Sequence, residues 1–145
     1  MNYYREIYDI EGLRVVYVTF SENRNLYTFE DLLELWLHLY DSQIPFRFIF
    51  DTRQIISIPP IMYALRMAYF IYNLKKRHHH YLERSLILIN KKGISRMLDF
   101  IFAVQSPVAP VYIYRCESPP DKKNMIELVI QESIVEGPDI TEILP

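Results

Sequence analysis

Four short apolar runs, Val15–Phe20, Phe46–Asp51, Ser85–Asn90 and Val111–Arg115, punctuate this chain, and the stretches that follow them carry a 3.6-residue apolar period. That alternation constrains the fold more than any other feature. A strand, an amphipathic helix and a second strand close as a parallel pair with the helix on one face, which makes this an α/β chain with a largely parallel sheet. A further alternating segment, 3–10, and the first of these runs, extended to 13–20, flank Glu11-Gly12. β-branched runs on either side of a glycine-containing pair predict a hairpin. The expected architecture is therefore an N-terminal β-hairpin followed by alternating helix and strand, a mixed sheet of about five strands flanked by four helices.

The first helix is expected from residue 29, because Thr28 and Asp31 have the spacing of a capping box with a shortened acid. Phe29, Leu32, Leu33, Trp36, Leu37 and Tyr40 then share one helix face. After the polar loop Ser21–Asn25 and this helix, Pro45 leads into FRFIFD, apolar enough to be buried on both sides. A loop, Thr52–Ile58, precedes Pro59-Pro60, and proline suits a first helical turn.

The helix expected over about 60–80 is unusual. Between Ile61 and Leu74 only Arg66 and Asn73 are strongly polar, and tyrosines 63, 69 and 72 share the remainder of the surface. This stretch is too short to span a bilayer, and Arg66 falls in its middle. It reads as a helix covered on more than one side, with apolar surface left over for an interface. It runs into Lys75-Lys76-Arg77-His78-His79-His80. Consecutive helical histidines project about 100° apart and cannot grip one metal, so this basic run reads as a solvated helix end that complements the macrodipole. Ile94, Met97, Leu98, Ile101 and Phe102 form the inward face of a third helix. After the loop Ser118–Pro120, a fourth is expected over 122–134 with Ile126, Val129, Ile130 and Ile134 inward, and the tail from about 136 is expected to be irregular.

Composition narrows the function. The 145 residues read as one domain, 1–145, large enough for a core, and half of them are apolar. A net charge of −2 provides no global field for nucleic acid or a membrane surface, although residues 117–145 hold seven acids against two bases. One cysteine, Cys116, precludes an internal disulfide and agrees with a reducing, cytoplasmic setting. The opening MNYYREIYD lacks the apolar core of a signal peptide.

Gly12, Gly93 and Gly137 are too far apart for a phosphate-cradling loop, and no GxSxG elbow occurs. Asp51 ends a strand where α/β folds place ligand groups, though capping of the next loop is the favoured role. An enzyme would need a polar pocket converging on Asp51 and Lys92. Arg47-Phe48 and Tyr114-Arg115 fall on core strands rather than a basic face, which disfavours nucleic acid. Catalytic groups, metal ligands and cofactor sites are all expected to be absent.

In this element order the chain resembles the STAS family, whose best-known members are bacterial anti-sigma factor antagonists of the SpoIIAA type. REIYDIEGLRVVYVTF is similar to the opening hairpin, RFIFDTRQIISIPPIMYALRMAYFIYNLKKR to the strand–loop–helix segment, and SLILINKKGISRMLDFIF to the next strand and helix. The resemblance implies a non-catalytic, regulatory protein–protein interaction module, with a protein partner or self-association into an oligomer. It places the contact surface at the start of the 60–80 helix and the loop before it, involving Thr52, Arg53, Ser57 and Arg66. The family's switch is a phosphorylated serine at that helix start. Here the stretch reads Ile58-Pro59-Pro60-Ile61-Met62, without a hydroxyl, so the switch does not carry over. Phe48 to Tyr114 also resembles, more loosely, the CRAL-TRIO domains. That likeness implies the alternative of a lipid or other apolar ligand in a cavity of roughly 300 Å³ or more. Nineteen isoleucines and twelve tyrosines against three glycines and four alanines suggest AT-rich coding, which leaves a third reading, a structural component of a larger, possibly viral, assembly.

Overall fold

Glu11 and Gly12 both adopt left-handed backbone, with φ of 50° and 84°. A two-residue turn of that hand matches the twist of the strands it joins, and glycine adopts it without steric cost. It pairs β1 (Tyr3–Ile10) with β2 (Leu13–Phe20) antiparallel, from Tyr3 opposite Phe20 to Ile10 opposite Leu13. The computed structural model describes residues 2–22, 27–116 and 121–145. Part of the expected 21–25 loop and all of Ser118–Pro120 lie outside these residues.

The remaining elements are α1 (Phe29–Asp41), β3 (Phe46–Asp51), α2 (Ile61–Leu74), β4 (Leu82–Ile89), α3 (Lys92–Val104), β5 (Val111–Arg115), α4 (Lys122–Ile130) and β6 (Ile140–Ile143). All six strands form one sheet in chain order, β1-β2-β3-β4-β5-β6, with β2 to β5 parallel and the two outer strands antiparallel. The order never reverses. Right-handed crossovers between successive parallel neighbours put α1, α2 and α3 on the same face, whereas α4 joins the antiparallel pair β5 and β6 and is free of that rule. The two buried clusters divide accordingly. α1, α2 and α3 share a core with Val16, Phe48, Ile87 and Ile113, whereas α4 shares the other face with Val15, Tyr17, Ile49 and Leu88.

The α1 start follows its sequence signal. Thr28 Oγ1 accepts from the Asp31 N–H, and the Asp31 carboxylate accepts from the Thr28 N–H at 2.8 Å. Its buried face is Phe29, Leu32, Leu35, Trp36, Leu39 and Tyr40. Leu33 and Leu37, expected inward, are only half-buried. Leu33 borders the neighbouring α2 instead of the sheet, which rotates the inward arc toward Leu35 and Leu39. In β3 the alternation is two-sided, as expected. Phe46, Phe48 and Phe50 fill the three-helix face with successive ring centroids 5.3 and 4.6 Å apart, and Ile49 fills the other.

Three elements differ from expectation. α4, expected over 122–134, ends at Ile130 because Gln131 turns to extended backbone; it buries Met125 and Val129, leaves Ile126 and Ile130 half-buried, and Ile134 is buried from the segment beyond it. α2 stops at Leu74, so the basic run is a connection and not a helix end: the Lys76 and Arg77 N–H groups turn back onto Asn73 and Leu74 carbonyls, and His80 Nδ1 lies 3.0 Å from the Tyr40 hydroxyl. The tail expected to be irregular contains β6, which pairs with β5 and shortens its exposed edge. A four-residue strand carries too little alternation to be seen in sequence. Among the described residues, no helix is long and apolar enough to cross a membrane.

α4 is held to its face by cations at its C-terminus, where helix carbonyls lack partners. Arg47 Nη1 donates to the Val129 and Gln131 carbonyls at 2.8 and 3.0 Å, and Arg84 donates to Gln131 and Glu132 carbonyls, both at 2.7 Å. The two arginines are register partners on β3 and β4. Burial, and then the nearby Arg47 charge, pushes the Arg84 pKa down. Hydrogen bonds from a charged donor contribute about 1.5–3 kcal/mol each, and two of them outweigh a screened repulsion. Arg84→Ala is therefore expected to destabilise the fold by about 1–3 kcal/mol, read by urea unfolding followed through the single tryptophan, Trp36. Unchanged or raised stability would show that repulsion dominates.

Candidate functional site

The carboxyl ends of the parallel strands are the first place to look, because α/β sheets bind ligands there when the strand order reverses and opens a crevice. This sheet has no reversal. What gathers at that end is a set of internal ties. Asp51 accepts from the Arg53 N–H at 3.1 Å and forms a two-pronged ion pair with its guanidinium at 2.9 and 2.8 Å. Both side chains are nearly covered, at 8% and 12% exposure. The carboxylate thus caps the loop, and it holds the Arg53 pKa above its ordinary range.

Thr52 donates its hydroxyl to the Leu88 carbonyl at 2.7 Å, joining β3 to β4. Lys91 Nζ donates to the Arg53 carbonyl at 3.1 Å and to Asn90 Oδ1 at 3.2 Å. Lys92, expected as a possible pocket residue beside Asp51, opens α3 and is exposed. Among the described residues, no group of three or more His, Cys, Asp or Glu is placed to hold a metal ion.

Cys116 closes β5 with Arg53 Nη1 4.0 Å from its sulfur. Burial raises the thiol pKa, and the Arg53 charge only partly offsets it. The thiol is therefore neutral at pH 7, and a neutral thiol is a poor nucleophile. Because its folded-state value is the higher one, the stabilisation it provides is complete below the ordinary thiol range and lost as pH rises through the folded value. Alkylation by a maleimide at pH 8 is expected to be slow in the native protein and to become fast in denaturant. Equal rates in both would show an activated or exposed thiol.

The three-helix layer contains a partly open apolar pocket with about 110 Å³ of free space, lined by Trp36, Phe50, Ile55, Met67, Leu98 and Ile101, among others. That is below the ~150 Å³ of an engineered cavity that takes up benzene. It is also well short of the several hundred cubic ångströms expected of a lipid carrier.

The outer side of α2 is a different surface. The helix buries Ala64, Ala68, Ile71 and Leu74 and turns larger side chains outward. Met62 is 66% exposed, Tyr69 68% and Leu65 49%, with Ile61 and Tyr72 exposed beside them. Ala64 and Ala68 face inward where α2 lies close against α3, together with Ile71 and Leu74. Met62, Leu65 and Tyr69 border an open groove of about 420 Å³, completed by Leu33, Arg66, Phe70 and Asn73. The loop before α2 adds Ile56 and Ile58, both exposed. Ile58 is seated on α3, since a Cβ on Gly93 would approach its Cδ1 to 2.5 Å.

The four residues expected to contact a partner are therefore dispersed. Thr52 is buried and Arg53 is locked to Asp51. Ser57 is exposed, three residues ahead of the Pro60 cap, and its N–H donates to Glu22 Oε1 at 3.0 Å. Arg66 stands at the groove, pairs with Glu30 and lies over the Phe29 ring at 5.2 Å. Met62 and Leu65 were not named from sequence, and Tyr69 and Tyr72 only as part of the remaining surface of the helix. Their 3-4-3 spacing opposite Ala64 and Ala68 was the available signal. No protein-family model, curated protein or solved structure matches this chain.

Proposed function

We propose that this chain is a non-catalytic, STAS-like protein–protein interaction module, regulatory and cytoplasmic, that acts through the outer face of α2 and the loop leading into it. One observation carries the reading: α2 turns its alanines inward and holds Ile61, Met62, Leu65, Tyr69 and Tyr72 against solvent. At roughly 200 Å² per large side chain, those exposures amount to roughly 600 Å², the upper end of what a soluble monomer leaves uncovered. Large exposed apolar surface favours aggregation unless a partner covers it. The hairpin and unreversed parallel strand order support the STAS-like part of the reading. The internal use of Asp51, Thr52 and Lys91 supports the non-catalytic part. The buried, unpaired thiol of Cys116 suits a reducing compartment.

Affinity capture from the native extract tests it, using the full chain beside a Leu65→Lys/Tyr69→Lys variant. Leu65 is about half exposed and Tyr69 more so, and the variant is therefore expected to keep the unfolding midpoint of the parent. The proteins recovered with the parent should be lost with the variant. An identical set recovered by both would place the interaction elsewhere, and recovery of none by either would remove the reading.

A further inference from the structure

We propose that the occupant of the α2 face is a second copy of this chain, in a two-fold dimer with the two α2 helices antiparallel. This rests on the α2 face being the interaction surface and names its partner. Met62, Leu65, Tyr69 and Tyr72 are spaced three, four and three residues apart, the spacing that forms a straight seam for knobs-into-holes packing. Such a seam complements itself, and a two-fold contact uses the same patch on both subunits.

Charge selects the antiparallel arrangement. At the N-terminal end of α2, Glu30 is paired with Arg66, which leaves Glu22, against the Ser57 N–H, as the acid without a cationic partner among the described residues. At the C-terminal end Arg77 is paired with Asp41 and the half-buried Lys75 donates to Ser106 Oγ, which leaves Lys76, its Nζ 4.4 Å from the Tyr72 ring centroid, as the exposed cation without an acidic partner among the described residues. Antiparallel helices set the basic end of each copy on the acidic end of the other, whereas parallel helices would set like on like. Area agrees. With Ile56 and Ile58 added to the five helix residues, each copy offers roughly 800 Å², the share of one partner in a standard interface. The seam centres between Leu65 and Tyr69, so Leu65 meets the second copy's Tyr69 and Met62 meets its Tyr72.

Two measurements on the full chain test this. Sedimentation from low to high micromolar concentration should show the mass rise from 17.5 kDa to twice that, and Leu65→Lys should weaken association by roughly 30-fold or more. In a Cys116→Ala background, mild oxidation of a Met62→Cys copy mixed with a Tyr72→Cys copy should give mixed disulfide dimers, with few Met62→Cys homodimers. A monomer at every concentration, a dimer indifferent to Leu65→Lys, or preferential Met62→Cys homodimers would each overturn the proposal. A monomer whose captured proteins are still lost on Leu65→Lys/Tyr69→Lys overturns the dimer and leaves the interaction reading standing. A monomer whose capture does not change overturns both.

Discussion

Phe48→Ala is expected to lower the unfolding free energy by about 3–5 kcal/mol. In a chain of this size that corresponds to a fall in melting temperature on the order of 10–20 °C. Phe48 lies at the middle of β3, fully buried, with the Trp36 ring edge-on at 5.0 Å and Phe46 and Phe50 on either side. Truncation removes the aromatic contacts and leaves a hole that β3, paired on both sides, cannot close by moving. A typical domain is stable by only about 5–15 kcal/mol, so this one substitution removes a large share. Calorimetry is the check. A loss under about 1 kcal/mol would mean that the ring is not packed as described.

Asp51→Ala is expected to cost about as much, by a different route. Removing one partner of a covered ion pair leaves the other charge without compensation, at a cost of about 3–5 kcal/mol. Here the stranded group is Arg53, 12% exposed and bonded through both prongs to the lost carboxylate. The Asx turn onto the Arg53 N–H goes with it. Asp51→Ala/Arg53→Met should recover a large part of the loss, because an apolar side chain needs no counter-charge. Chemical denaturation of the single and double variants decides this. If Asp51→Ala alone is neutral, the pair is solvated and the loop is held by Thr52 and Lys91.

Much of this architecture could be read before any coordinates existed, and the reasons are local. Glu11-Gly12 can hardly be anything but a tight turn between alternating strands, and Thr28 with Asp31 marks the first residue of α1. The ranges of β3 and β5 follow from short apolar runs bounded by Pro45, Asp51 and Pro110. What escaped depended on neighbours. β6 exists because the outer edge of β5 needs a partner, and four residues, ITEI, show no period of their own. The end of α2 was overestimated because Lys75 and Lys76 are good helix formers, while the chain must turn back for Tyr81 to accept from the Phe46 N–H.

The candidate site was legible only in part. Excess apolar character over 61–74 was visible in the sequence, but not which arc faces outward. A hydrophobicity argument buries Met62, Leu65 and Tyr69, whereas the close approach of α2 to α3 selects Ala64 and Ala68. Thr52 and Arg53 were expected at a contact surface because they belong to the loop before the α2 start, where the STAS resemblance implies contact. The same position lets the Thr52 hydroxyl reach Leu88 and the Arg53 guanidinium reach Asp51, which removes both from the surface.

Hydroxyl-radical footprinting of the full chain, once purified and dilute and once in its native extract, addresses the α2 surface most directly. Oxidation of Met62, Tyr69 and Tyr72 should be strong in the dilute sample and several-fold weaker in the extract, with exposed side chains elsewhere such as Val135 unchanged. Equal oxidation of α2 in both samples would contradict the account.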